Sequence, residues 1–241
     1  MGLISHHRPA RGNLKRKLSK SPVYAGLLFL EEIMDIVSAV KEYSKLLNVE
    51  YHLILGRKNK AKNIRIIFDD TSWFHVVGLH YLKDIGINHD KIALKPFFDG
   101  IILGNINEEY FRKSKYYDSI LDRVDLLSRL DTIIEGIDNT NICIYGFDKK
   151  NAAFFTKIDG DYLISDLRKA DNPVNLFLVF ERKDDGTLVP VSAFHPEINA
   201  KTGKPLDYTD RQMRYTLLKN TRREISEDKY TEVFRHLNYK E

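Results

Sequence analysis

The sequence predicts an α+β fold, with N-terminal helices packed on an antiparallel β-sheet formed mainly by the C-terminal half. Three observations carry this reading. Apolar residues recur at helical spacing through the first half of the chain. After Gly136 the pattern changes to short runs with a strand-like composition. Between those runs, Asp159-Gly160 and Asp185-Gly186 are strong hairpin-turn signals. Helices first and an antiparallel meander afterwards argue for α+β rather than a doubly wound sheet.

The elements follow in order. Residues 1–22 carry Arg8, Arg11, Lys15, Arg16, Lys17 and Lys20 and no acid, so they read as a basic, disordered tail. Such a tail is either simply solvated or a salt-sensitive arm for nucleic-acid phosphates. The whole chain has a net charge of +4; without the tail the body is close to neutral. Val23–Leu47 has the spacing of an amphipathic helix, with Leu27, Leu30, Ile33, Met34, Val37 and Val40 on its apolar side. Val49–Leu55 and Ile64–Phe68 read as a hairpin around the polar turn Gly56–Lys60. Asp69-Asp70-Thr71-Ser72 offers helix N-caps, and a helix is expected over Ser72–Ile85. Further helices are expected at Asp90–Leu103, Glu108–Ser114 and Tyr117–Ile137. Strands are expected at Ile142–Phe147, Ala153–Ile158, Tyr162–Leu167, Leu176–Glu181, Leu188–Phe194 and Arg214–Arg222. Residues 23–225 thus form one α+β domain, and residues 226–241 a C-terminal helix over Glu227–Leu237.

Composition narrows the function classes. At 241 residues with 43% hydrophobic side chains, the chain can bury a core unaided. The single Cys143 excludes an intrachain disulfide and a multi-cysteine zinc site, and its apolar surroundings mark it as a core residue. The apolar run after the basic start imitates a signal peptide, but Glu31 and Glu32 interrupt it. No stretch approaches the roughly 18 to 20 apolar residues a membrane span needs. The expectation is a soluble, cytoplasmic protein with no membrane partner. Nucleotide-binding glycine loops, a His-Glu-x-x-His helix and a Gly-x-Ser-x-Gly elbow are all missing from the sequence. Asp69-Asp70 and Asp184-Asp185 sit at expected turns or helix starts. No cofactor or metal is called for, and chemistry falls to side-chain acids, bases and cations.

Four segments could carry that chemistry. On a helix over Ser72–Ile85, Phe74, Val77, Gly78, Tyr81 and Ile85 share one face, with His75 beside it. Five residues place His80 about 140° from His75, which keeps the two from sharing a ligand. Gly78 within that helix suggests close backbone approach. Lys157 and Asp159 share a strand face; Lys157 either neutralises a phosphate or belongs to a solvated hairpin end. Ser192 and His195 stand on opposite faces at the end of a strand closed by Pro196. Asp207–Lys219 is dense in hydroxyls, amides and cations, with Thr209, Gln212 and Arg214 able to contact a phosphodiester or to form a surface turn.

These segments, in this order, resemble the phage-associated branch of the barnase–EndoU–colicin–RelE (BECR) nuclease superfamily. The matching pieces are Tyr51–Lys58, Phe74-His75 with Gly78–Asp84, Arg123–Ser128, Lys157-Ile158 with Asp161-Tyr162-Leu163, Asp207-Tyr208-Thr209 with Gln212, and Tyr215–Leu218. The resemblance implies helices packed on a curved antiparallel sheet and metal-independent cleavage of RNA, as a toxin or phage-conflict effector. The ribose 2′-hydroxyl attacks the neighbouring phosphorus, and the protein supplies a base, an acid and cations. By position, His75 is the leading acid/base, Lys157 and Arg214 stabilise charge, and Ser192 and Thr209 complete the catalytic set. His80, His195, Tyr208, Gln212 and Tyr215 would hold substrate. His195 departs from the family's pattern, which has a second aromatic there. The partners implied are RNA and a protein inhibitor or antitoxin. Two other readings remain: a catalytically inactive RNA- or protein-binding module of the same fold, and a nucleotidyl- or ADP-ribosyl-transferring toxin.

Overall fold

The computed structural model describes residues 35–87, 90–138, 142–166 and 176–240. The basic tail and the first part of the expected Val23–Leu47 helix lie outside them. The described part of that helix, α1, spans Ile36–Leu46 and is capped by Asp35, whose carboxylate accepts the Ser38 N–H at 2.6 Å. Its buried face is Ile36, Ala39, Val40, Tyr43 and Leu46.

The first hairpin is β1 (Val49–Arg57) and β2 (Lys60–Ile67), paired from Glu50↔Ile67 to Arg57↔Lys60. Lys58 and Asn59 form a two-residue turn with φ of 46° and 60°. Positive φ at both turn positions gives the primed geometry that matches strand twist, without glycine.

The expected Ser72–Ile85 helix is corrected. It runs only as α2, Trp73–Val76, and a separate 3-10 turn follows at Leu79–Tyr81. The break is Gly78, held at φ 80°, where a side chain is strained. Helices α3 (Lys91–Ile102) and α4 (Glu108–Arg112) follow as expected, α4 capped by Asn107. The long helix expected over Tyr117–Ile137 is instead a 3-10 turn, Tyr117–Ile120, then α5 (Leu121–Ser128) and α6 (Leu130–Glu135). The two helices part at Arg129, whose φ of −122° and ψ of 19° are not helical.

The C-terminal half supplies β3 (Cys143–Gly146), β4 (Tyr162–Asp166), β5 (Leu176–Arg182), β6 (Leu188–Phe194), β7 (Met213–Glu224) and β8 (Lys229–Arg235). Two expectations fail here. Ala153–Ile158 is a loop. The expected terminal helix is the strand β8, paired antiparallel with β7. Tyr230, Val233, Phe234 and Leu237 have helical spacing, but Tyr230-Thr231 and Val233-Phe234 are strand formers and β7 offers them an edge.

The sheet is not the open, curved, wholly antiparallel one expected. Its order is β1-β2-β6-β5-β4-β3-β7, and β7 returns to pair with β1, closing a seven-strand barrel with β8 added at β7. At twelve residues, β7 is long enough to pair with β3 through Met213–Tyr215 and with β1 through Thr216–Glu224. The β2–β6 seam is parallel and rests on the single pair Ile66↔Leu188.

Two cores result. The principal one joins the helices to one face of the strands and includes Tyr43, Trp73, Phe74, Leu178 and Phe180. The second, on the opposite face, consists of Phe147, Leu163, Phe177, Val179, Phe194 and Tyr208. Buried on both faces, β5 reads in sequence as the continuous run Leu176-Phe177-Leu178-Val179-Phe180. Cys143 is buried, as expected. Among the described residues, no helix is long and apolar enough to cross a membrane.

Candidate active site

A cleft of about 490 Å³ opens beside the second core. Its lining includes Tyr81, Arg123, Phe155, Lys157, His195, Glu197 and Tyr208. The floor is aromatic: Phe194 and Tyr208 meet edge-on at 4.7 Å, and Phe154 packs edge-on to Tyr208 at 4.8 Å.

Four elements bring the polar groups there. The 3-10 turn after Gly78 presents Tyr81. Helix α5 presents Arg123, whose Nε donates to the Ala193 carbonyl at 2.8 Å and whose Nη1 donates to the Ser119 carbonyl at 3.2 Å. The Arg123 guanidinium also lies 4.8 Å from the centre of the Tyr81 ring. A Cβ at Gly78 would stand 3.0 Å from the Tyr81 ring and 3.1 Å from Arg123 Cδ, so glycine is what allows this stack. Burial lowers the Arg123 pKa, with Tyr81 and Asp122 opposing the shift, and a guanidinium keeps its charge throughout.

The third element is the loop after β3. A 3-10 turn at Lys149–Asn151 is capped by Asp148, and an ion pair joins Lys149 to Asp159. This brace holds Lys157 exposed at the cleft. The fourth is the end of β6, which delivers His195 and Glu197. His195 Nε2 lies 2.8 Å from Asp122 Oδ2, while its Nδ1 is buried with no partner among the described residues. Burial raises the Tyr208 hydroxyl pKa, Glu197 adds to the rise and a hydrogen bond with Thr156 opposes it, which keeps the phenol a protonated donor.

Of the residues singled out in sequence, the cleft gathers Lys157, His195 and Tyr208. His80 abuts the cleft wall, its ring 4.1 Å from Tyr81, and the exposed His75 lies 5.6 Å from His80. The expected 140° separation of the two histidines is lost because the helix breaks between them at Gly78.

The other five do not line the cleft. Gln212 is spent on the Asp148 backbone, accepting its N–H at 2.9 Å and donating to its carbonyl at 3.1 Å. The Thr209 hydroxyl donates to Asp207 at 2.7 Å within a turn. Arg214 lies 3.7 Å from Asp138, Tyr215 is buried in the principal core, and Ser192 pairs across from Val179 on β5. Conversely, Arg123, Phe155 and Glu197 line the cleft and Asp122 holds His195 without any sequence pattern that marks them as site residues, and Tyr81 is marked only as part of a helix face. Arg123 opens one of the matching segments, and Glu197 follows His195-Pro196 directly.

Among the described residues, no group of three or more His, Cys, Asp and Glu side chains could hold a metal ion. Comparison with protein families matches residues 35–236 to the model described as phage-Barnase-EndoU-ColicinE5/D-RelE like nuclease4. The matched span runs from the cap of α1 through β8 and contains every cleft residue. No curated protein and no solved structure matches the chain.

Proposed function

We propose that this chain, which belongs to the phage-Barnase-EndoU-ColicinE5/D-RelE like nuclease4 family, is an endoribonuclease acting without a metal at the Arg123–Lys157–His195–Glu197 cleft. The observation that carries this is the meeting, in one cleft, of two cations with an imidazole and a carboxylate. A phosphodiester there would lie between Arg123 and Lys157, whose charges offset that developing on the phosphoryl oxygens. Glu197 takes the proton of the ribose 2′-hydroxyl as O2′ bonds to phosphorus. The P–O5′ bond breaks as His195 Nε2, leaving the exposed Asp122 carboxylate that holds it in the free protein, gives its proton to the departing O5′. The products are a 2′,3′-cyclic phosphate and a 5′-hydroxyl end. Asp122 fixes the orientation of the His195 ring through Nε2. His75 and His80 flank the cleft as binding groups.

In this reading the chain is a cytoplasmic toxin or phage-conflict effector, and an inhibitor protein would act by covering the cleft. One observation favours the second reading, a binding module that does not cut: Asp122 occupies one His195 nitrogen and the other is buried.

The test incubates the protein with total cellular RNA in EDTA, beside Lys157→Ala and Glu197→Gln. Cleavage by the unaltered protein into fragments with cyclic-phosphate ends, lost in both variants, is the expected result. Intact RNA with a folded protein that still binds it would overturn the nuclease reading in favour of the binding module.

A further inference from the structure

Phe155 is 86% exposed, although it belongs to a braced loop and its neighbours Phe154 and Ile158 pack onto the second core. Single exposed apolar side chains are common on protein surfaces and by themselves signify little. This one differs in placement. Exposure alternates along the loop: Phe154, Thr156 and Ile158 are half-buried, and Phe155 and Lys157 stand out together. Both line the cleft. Tyr81, 42% exposed, lines it too, with Arg123 against its ring. The loop is not free to fold Phe155 away. Lys149 pairs with Asp159, Ile158 N–H donates to Thr156 Oγ1 at 3.0 Å, and Phe147 N–H donates to the Asp161 carbonyl at 2.8 Å.

From this we infer that Phe155 forms a subsite for an unpaired nucleobase of single-stranded RNA, next to the phosphate position at Lys157, with the Tyr81 edge as its side wall. The inference deepens the proposed function and rests on it for the identity of the ligand. The chemistry is that of a stacking platform. An exposed ring accepts the flat face of any base, while a base held in a duplex already has both faces covered. The adjacent cation takes the phosphate of the same strand. Substrate choice would then be set by strandedness more than by base identity, because stacking reads no base edge.

The test uses a single-stranded 2′-O-methyl oligonucleotide, which has no 2′-hydroxyl and stays intact, so binding is read apart from cleavage. An abasic strand of equal length presents the phosphates without the bases. Phe155→Ala should weaken binding of the base-bearing strand roughly tenfold, within the range for loss of one stacked base, and leave the abasic strand unaffected. Phe155→Trp should restore affinity and report directly: the natural Trp73 is fully buried, so a new tryptophan at 155 is the one able to lose emission on stacking.

Equal affinity of Phe155→Ala and the unaltered protein for the base-bearing strand would overturn the proposal. So would unchanged emission from Phe155→Trp at saturation. The two readings separate cleanly. Emission loss with no RNA cleavage upholds the subsite and removes the nuclease. Cleavage of RNA by a protein indifferent to Phe155→Ala keeps the nuclease and removes the subsite.

Discussion

His195 Nε2 and Asp122 Oδ2 lie 2.8 Å apart, joining the end of β6 to the start of α5 at the mouth of the cleft. The two residues are far apart in sequence, and the pair exists because Arg123, next to Asp122, is tied to the Ala193 carbonyl two residues before His195. A histidine held this way acts as a unit with its carboxylate. His195→Ala should lower kcat on RNA by about 10²-fold, the range for a lost acid or base. Asp122→Ala, which removes only the orienting partner, should cost less, and the double variant should be no worse than His195→Ala alone. Steady-state kinetics on a labelled oligoribonucleotide check this. Multiplicative losses in the double variant would mean that the two side chains work independently.

Gly78 is the hinge of the site's other wall. At φ 80°, with Tyr81 and Arg123 at contact distance of a Cβ, Gly78→Ala combines a left-handed strain of about 1–2 kcal/mol with displacement of the Arg123–Tyr81 stack. The denaturation midpoint should fall accordingly, and RNA affinity should fall with it. A variant as stable and as tight-binding as the parent would show that the stack is not needed.

The same glycine shows what could be read from sequence and what could not. Segments with one clear period are legible: the described part of the expected Val23–Leu47 helix and the hairpin after it stand where expected, as does the family resemblance built on ordered segments. Gly78 stands within a helical pattern, where its positive φ is invisible, so the pattern separates His75 and His80 although the chain brings them together. The barrel closure depends on β7 pairing with β1 across more than 150 residues, which no local pattern encodes. Arg123 and Glu197 reach one cleft through the packing of α5 beside the end of β6, and an isolated arginine or glutamate carries no period of its own. Thr209 and Gln212 are legible as a polar cluster, but Thr209 is taken up by Asp207 in its own turn and Gln212 by the Asp148 backbone of the loop after β3.

Asp69 gives a stability prediction with a defined pH window. Burial pushes its carboxyl pKa up, but hydrogen bonds from Ser72 and Thr71 outweigh burial and hold it below the ordinary 3.8. The N–H groups of Thr71 and Ser72 donate to it at 3.0 and 2.6 Å, and the Thr71 hydroxyl at 2.8 Å. A folded-state pKa below the unfolded one means that the ionised form stabilises the fold. The contribution is complete above the unfolded value and disappears as pH falls below 3.8 through the lower folded value. Asp69→Asn, which keeps an acceptor oxygen but not the charge, should therefore be less stable than the parent at neutral pH, and its disadvantage should shrink in acid. Urea titrations at pH 7 and near pH 3 measure both. An equal deficit at the two pH values would mean that the carboxylate charge is irrelevant.

The tip of the β1–β2 hairpin concentrates Arg57, Lys58, Lys60 and Lys62 around a surface pocket, and no ion pair reaches any of the four among the described residues. Only Lys62 is engaged, over the Tyr162 ring at 5.1 Å. Register places this tip at the β7 end that follows the Tyr208–Gln212 loop, since Gly56 pairs with Thr216 and Gly146 with Met213. Unneutralised cations at this tip would draw in a phosphate backbone, and each contact releases counterions. If Arg57, Lys58 and Lys60 each meet one phosphate, replacing all three with serine should flatten the dependence of log K on log salt by about two units, at about 0.7 per contact on a single strand. The loss should be sequence-independent and should leave kcat at saturating RNA unchanged. Because β2 meets β6 through one residue pair, the lysines could instead serve only to keep the open β2 edge from pairing with other chains. In that case the triple variant would bind RNA with an unaltered salt slope and self-associate on size-exclusion chromatography.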